Sequence, residues 1–198
     1  MPIKLQTIKE LLTAPNEAIT KVAKSKSTNE SIVMLTMNWL LLSVALSLPA
    51  GNYSLIPAIL VSGIIGTLFL GFLLHIGLKM TGGRGDFTSI LSSLTYPFFG
   101  VAFSSLIVSA FFTWSEVVAV VIGAILFILY FTIALTGMFR LIKETYKLDM
   151  ITIWIVTSLV LLAALLSAYI LSAFYILNFG TTLTSLQNLG SAPPHPPY

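Results

Sequence analysis

Ionisable chemistry is sparse in this chain: seven acids, ten cations and two histidines among 198 residues. The acids are Glu10, Glu17, Glu30, Asp86, Glu116, Glu144 and Asp149. All fall in the amino-terminal segment, in loops or at the ends of apolar runs. Membrane enzymes and pumps normally carry such groups inside their spans. There is no H-E-x-x-H, no carboxylate pair within a helix and no cysteine–histidine cluster. No catalytic residue, metal site or cofactor is therefore expected. His75 reads as an interfacial or locally bonded histidine, because no second histidine and no acid except Asp86 lies near it in sequence. The densest polar stretch is Lys79–Phe87, KMTGGRGDF, with two cations, one acid and three glycines. Its GGRGD lacks the G-K-[ST] ending of a phosphate loop and follows a helix, which argues against nucleotide binding. A surface role remains. Gly82 and Gly83 can take positive φ and turn the chain, and Arg84 faces anionic lipid. Asp86 caps the next helix, and Phe87 seats the loop in the interface.

The elements that must position this loop are membrane helices. Fifty-seven per cent of residues are apolar, 9% are charged and the mean hydropathy is +0.97. Soluble domains carry about a quarter charged residues. The expected fold is all-α: a polytopic transmembrane bundle of five spans at about 32–48, 55–78, 88–112, 117–139 and 150–179, within a domain over 31–179. About 20 apolar residues in helix cross the hydrocarbon. Residues 1–30 form a cytoplasmic amphipathic segment, with Ile3, Leu5, Ile8, Leu11 and Leu12 largely on one side and Pro15 ending the first helix. Residues 180–198 form an extracytoplasmic flexible tail.

The spans differ in character. The first, Ile32–Leu48, reads as nearly devoid of polar atoms. The second carries Gly63, Gly66 and Gly71, and small residues let membrane helices approach closely. The third holds Tyr96-Pro97, where proline removes a backbone hydrogen bond and kinks the helix. Its serines and threonines suit a central helix whose hydroxyls bond across the bundle or back to its own backbone. Arg140–Asp149, RLIKETYKLD, is the next polar connector. An odd number of spans puts all ten cations on one side: five lysines in residues 1–30, then Lys79, Arg84, Arg140, Lys143 and Lys147. The positive-inside rule places the amino terminus in the cytoplasm and the carboxyl terminus outside. That charge speaks for topology and anionic headgroups, not for nucleic acid.

At these stretches the sequence resembles the Yip domain family, five-span proteins named for interaction with Ypt/Rab GTPases. Leu11-Leu12-Thr13-Ala14-Pro15-Asn16-Glu17-Ala18 is similar to that family's amino-terminal leucine–proline segment. Leu74-His75 with Lys79, Gly82, Gly83, Arg84, Gly85 and Phe87 resembles its second connector, Tyr96-Pro97 its third span, and Arg140–Asp149 its last inner loop. The chain has a short amino-terminal region and no D-L-Y-G-P element, so it looks more like a prokaryotic member, at the plasma membrane. The resemblance implies membrane organisation or trafficking through partners: anionic lipids and integral or peripheral membrane proteins, a small GTPase among them. Homo-oligomers are compatible with it. The expected function is a non-enzymatic scaffold or adaptor whose inner face binds lipids or membrane proteins. The alternative is a small-solute channel or transporter, suggested by the hydroxyl-rich third span and the glycines of the second.

Overall fold

A computed structural model describes residues 28–190, with side chains described from 28 to 170. The amphipathic segment with its five lysines, and the proline-rich end at 191–198, lie outside those residues. All regular structure among the described residues is helical: α1 (Thr28–Ala50), α2 (Leu55–Met80), α3 (Phe87–Thr95), α4 (Phe99–Phe112), α5 (Glu116–Tyr146) and α6 (Met150–Gly190). With α3 and α4 counted as one crossing, five segments are long and apolar enough to span a membrane. The chain is thus a multi-pass, all-α membrane protein. It divides into two compact units at Thr157–Ser158, within α6.

Two boundaries move. The connector expected over Arg140–Asp149 shrinks to three residues, because α5 runs on to Tyr146. Its last turns keep a helical stripe, with Leu141, Ile142 and Tyr146 buried while Arg140 and Lys143 face out. Arg140 pairs with Glu144 one turn on, at 3.1 Å. At the other end, residues 180–190 belong to α6 rather than to a flexible tail. Gly180 lies inside this helix, and a single glycine is tolerated there.

The third crossing is the inner one. Of its apolar stretch 44% is buried, against 11% for the fourth crossing. It packs between α1, α2 and α5. Its polar residues explain how. α1 runs beside it in the same direction, joined by Thr28 Oγ1–Thr88 Oγ1 at 2.8 Å, Ser31 Oγ–Ser92 Oγ at 2.7 Å and Asn38 Nδ2 donating to the Thr95 carbonyl at 2.7 Å. α1 begins at Thr28, four residues before the expected span, and so brings Thr28 and Ser31 into the seam; within Ile32–Leu48 itself, Asn38 is the polar residue that joins it.

The Asn38 bond belongs to the proline break. Tyr96, Pro97 and Phe98 form a turn that separates α3 from α4. Pro97 has no N–H, and the Phe99 N–H donates to the Tyr96 carbonyl instead of to Thr95. The Thr95 carbonyl thus lacks its helical partner, and a free carbonyl in hydrocarbon is costly. The Asn38 amide of the neighbouring helix supplies the bond. Tyr96 itself is buried, with its hydroxyl hydrogen-bonded to Glu30. Most other hydroxyls of this crossing bond back to their own helix: Ser92 to Thr88 O, Ser93 to Ile90 O, Thr95 to Leu91 O, and both Ser104 and Ser105 to Val101 O.

The glycines of α2 divide by environment. Gly63 lies flat under the Trp39 indole, and Gly71 faces Leu94 and Ile90. Gly66 does not pack: it is exposed, and a Cβ there would meet nothing within 4 Å. Its place on the outward face of the helix removes it from the contact.

Candidate functional site: the basic end of the bundle

α2 ends as glycine-terminated helices do. Thr81 is the cap. Gly82 at φ +88 donates to the Lys79 carbonyl at 3.0 Å, and Gly83 donates to the Leu78 carbonyl at 2.9 Å. Only Gly82 uses the left-handed region; Gly83 does not. Gly83 is needed for space. A Cβ on it would sit 2.6 Å from both the Leu78 carbonyl oxygen and the Tyr146 ring, and one on Gly85 would sit 2.3 Å from that same ring. The two glycines thus bracket Tyr146, and the Arg84 N–H between them donates to the Tyr146 carbonyl at 3.1 Å. The loop is fastened to the end of α5, not merely folded over α2 and α3.

Tyr146 is fully buried, and its phenol carries the tie further. The hydroxyl donates to the Asp86 carbonyl at 2.9 Å and lies 2.5 Å from His75 Nδ1. A phenol has one proton, and it is committed to Asp86, so His75 carries its own proton on Nδ1 and donates to the Tyr146 oxygen. His75 of α2 is therefore bonded across the bundle rather than locally. Phe87 meets the imidazole edge-on at 6.0 Å, so its ring turns inward to His75 as well as lying near the surface. Asp86 caps α3, accepting from the Ser89 N–H at 2.8 Å and from its hydroxyl at 2.6 Å. α2, α3 and α5 all end on this one cluster.

Around it stand the cations. Lys79, Arg84, Lys143 and Lys147 are exposed, while Arg140 is engaged with Glu144. An exposed pair of that kind contributes about 0–1 kcal/mol, so it leaves Arg140 largely available. Lys147 is left-handed at φ 56 and closes α5 by donating to the Lys143 carbonyl. Asp149 then caps α6. The Thr152 hydroxyl and N–H hold its carboxyl below the usual aspartate range. The Arg84 side chain makes no hydrogen bond or ion pair among the described residues.

No family model, curated protein or solved structure matches this chain. The reading of this site accordingly stands on its geometry. The Tyr146–His75 pair ends on a backbone carbonyl rather than on a carboxylate, and the phenol is closed to solvent, so the pair fits a rivet better than a reacting group. Among the described residues no group of three histidine, cysteine or acidic side chains gathers to hold a metal. Of the expected site residues, the structure brings together Lys79, Gly82, Gly83, Arg84, Asp86, Phe87 and His75, with Arg140, Lys143 and Lys147 alongside. Gly63, Gly71, Tyr96 and Pro97 belong to the packing of the bundle. Tyr146 and Asn38 escaped sequence reasoning. The signal for Tyr146 was its place four residues after Ile142, continuing the apolar stripe through a charged run.

Proposed function

We propose that this chain is a non-enzymatic membrane scaffold or adaptor of the Yip type, whose basic end binds acidic lipid headgroups or acidic segments of other membrane proteins. One observation carries the reading: Arg84 projects from a loop held rigidly on either side of it, beside the exposed Lys79, Lys143 and Lys147. A preorganised cation loses less freedom on binding than one on a mobile loop. The positive-inside rule supports a cytoplasmic position for this end, and the resemblance to compact members of the Yip family implies the plasma membrane of a prokaryotic cell. The hydroxyls that bond back to backbone along the third crossing support a packed bundle over a path for solutes.

Arg84→Glu tests it. A juxtamembrane cation contributes about 1 kcal/mol at an anionic leaflet, so charge reversal should reduce retained anionic phospholipid about fivefold or more. Lipid retention is read by native mass spectrometry after detergent exchange, with the melting temperature unchanged. Equal retention of anionic and zwitterionic lipid by wild type and variant would defeat the lipid form of the proposal.

A further inference from the structure

At the end of the bundle opposite the cations, a groove of about 690 Å³ lies between α1, α4 and α5. Small-molecule sites span roughly 300–1,000 Å³. Small residues recess its walls: Ala45 on α1, and Ala119 and Gly123 on α5. No lining residue is charged. Its polar groups are three serines of α4, and they are not equivalent. Ser104 and Ser105 both donate to the Val101 carbonyl, at 2.9 and 2.8 Å. Ser109, also lining the groove, is 3% exposed, and its hydroxyl has no hydrogen-bond partner among the described residues. A serine in an apolar helix normally bonds back to its own turn, and a buried hydroxyl without a partner is costly.

We infer that this groove binds one acyl chain of a membrane glycerolipid, with the Ser109 hydroxyl, which has no exposed surface of its own here, turning about χ1 into the groove to donate to the lipid's ester carbonyl. Depth favours that occupant. Ser109 lies one turn, about 5 Å, inside the end of α4 at Phe112. Trp114 and Tyr53, exposed by 87% and 60% just beyond the helix ends, mark the interface at this level. Ester groups occupy that zone, between headgroup and hydrocarbon. From Ala119 to Phe127 the α5 wall then runs about 12 Å toward the bilayer centre, apolar throughout, as a chain requires. A neutral acceptor suits a single hydroxyl, and the absence of lining charge disfavours a phosphate on the floor of the groove. The site is independent of the basic end.

The test reconstitutes the full chain in phosphatidylcholine vesicles doped with a phosphatidylcholine bearing a diazirine on one acyl chain. After irradiation, adducts are mapped by peptide mass spectrometry. Adducts should concentrate on groove residues such as Leu46, Phe112 and Val120, over the exposed α2 stripe of Val61, Ile65 and Phe69. Ser109→Ala should cut groove labelling about threefold, the loss of one hydrogen bond. Val120→Trp, at a position 59% exposed and so harmless to the core, should cut it at least as much by filling the groove. Labelling spread equally over the α2 stripe would overturn the proposal. So would groove labelling unchanged in either variant, or groove peptides cross-linked to a second copy of the chain instead of to lipid.

Discussion

A side chain at Gly85 should detach the basic loop from the bundle. In Gly85→Val the new Cβ would fall 2.3 Å from Cε2 and 2.4 Å from Cδ2 of Tyr146, a ring with no exposed surface and no room to swing. Overpacking of this kind costs about 1–3 kcal/mol. Pushing the phenol away also leaves the His75 N–H and the Asp86 carbonyl without their partner, at about 1–3 kcal/mol for each buried group. Gly83→Val should act alike, since its Cβ meets the Leu78 carbonyl oxygen at 2.6 Å. Tyr146→Phe keeps the ring and removes only the hydroxyl, so its loss should be smaller. Thermal melting in detergent, with hydrogen exchange over 81–87, measures both effects. A Gly85→Val protein with wild-type melting and unchanged exchange would mean that Tyr146 does not hold the loop.

The second large effect lies in the membrane. Gly63→Leu should separate α1 from α2, because a Cβ there would come 2.1 Å from the Trp39 ring. Trp39 is held on the same α2 surface by donating to Thr67 Oγ1, one turn along, at 2.9 Å, and Thr67 donates in turn to the Gly63 carbonyl at 2.9 Å. The indole must leave and forfeit that bond, at a cost of about 1–3 kcal/mol for the clash alone. Gly66→Leu is the internal control: the same change on the same helix, directed into open space. Melting temperature and the Trp39 contribution to fluorescence should change in the first variant and not in the second. Equal behaviour of the two would show that Gly63 makes no close approach.

These cases show what was legible in the sequence. Span number, the helix break at Pro97, the central place of the third crossing and the Asp86 cap follow from hydropathy, proline chemistry and capping, which are local rules. Gly63 and Gly66 could not be told apart, since residues three apart lie only about 60° from each other around a helix, nearly on one face, and only the packed partner decides where the contact ends. Tyr146 lay hidden in a run of charges. Its meaning depends on a loop sixty residues earlier, and the close approach of Gly83 and Gly85 appears only when both are in place. Asn38 was passed over for a similar reason. A lone amide in an apolar helix announces its partner only when Pro97 of another helix has freed a carbonyl for it.

The central claim is that a rigid loop offers its cations to an acidic partner. Quantitative cross-linking and pull-down from native membranes, comparing wild type with the Arg84→Glu, Lys143→Glu double variant and read for both protein and lipid, tests it most directly. The predicted result is the loss of a defined set of protein or anionic-lipid neighbours by about fivefold or more, with melting temperature and membrane insertion unchanged. An identical set of neighbours in the well-folded double variant would contradict it.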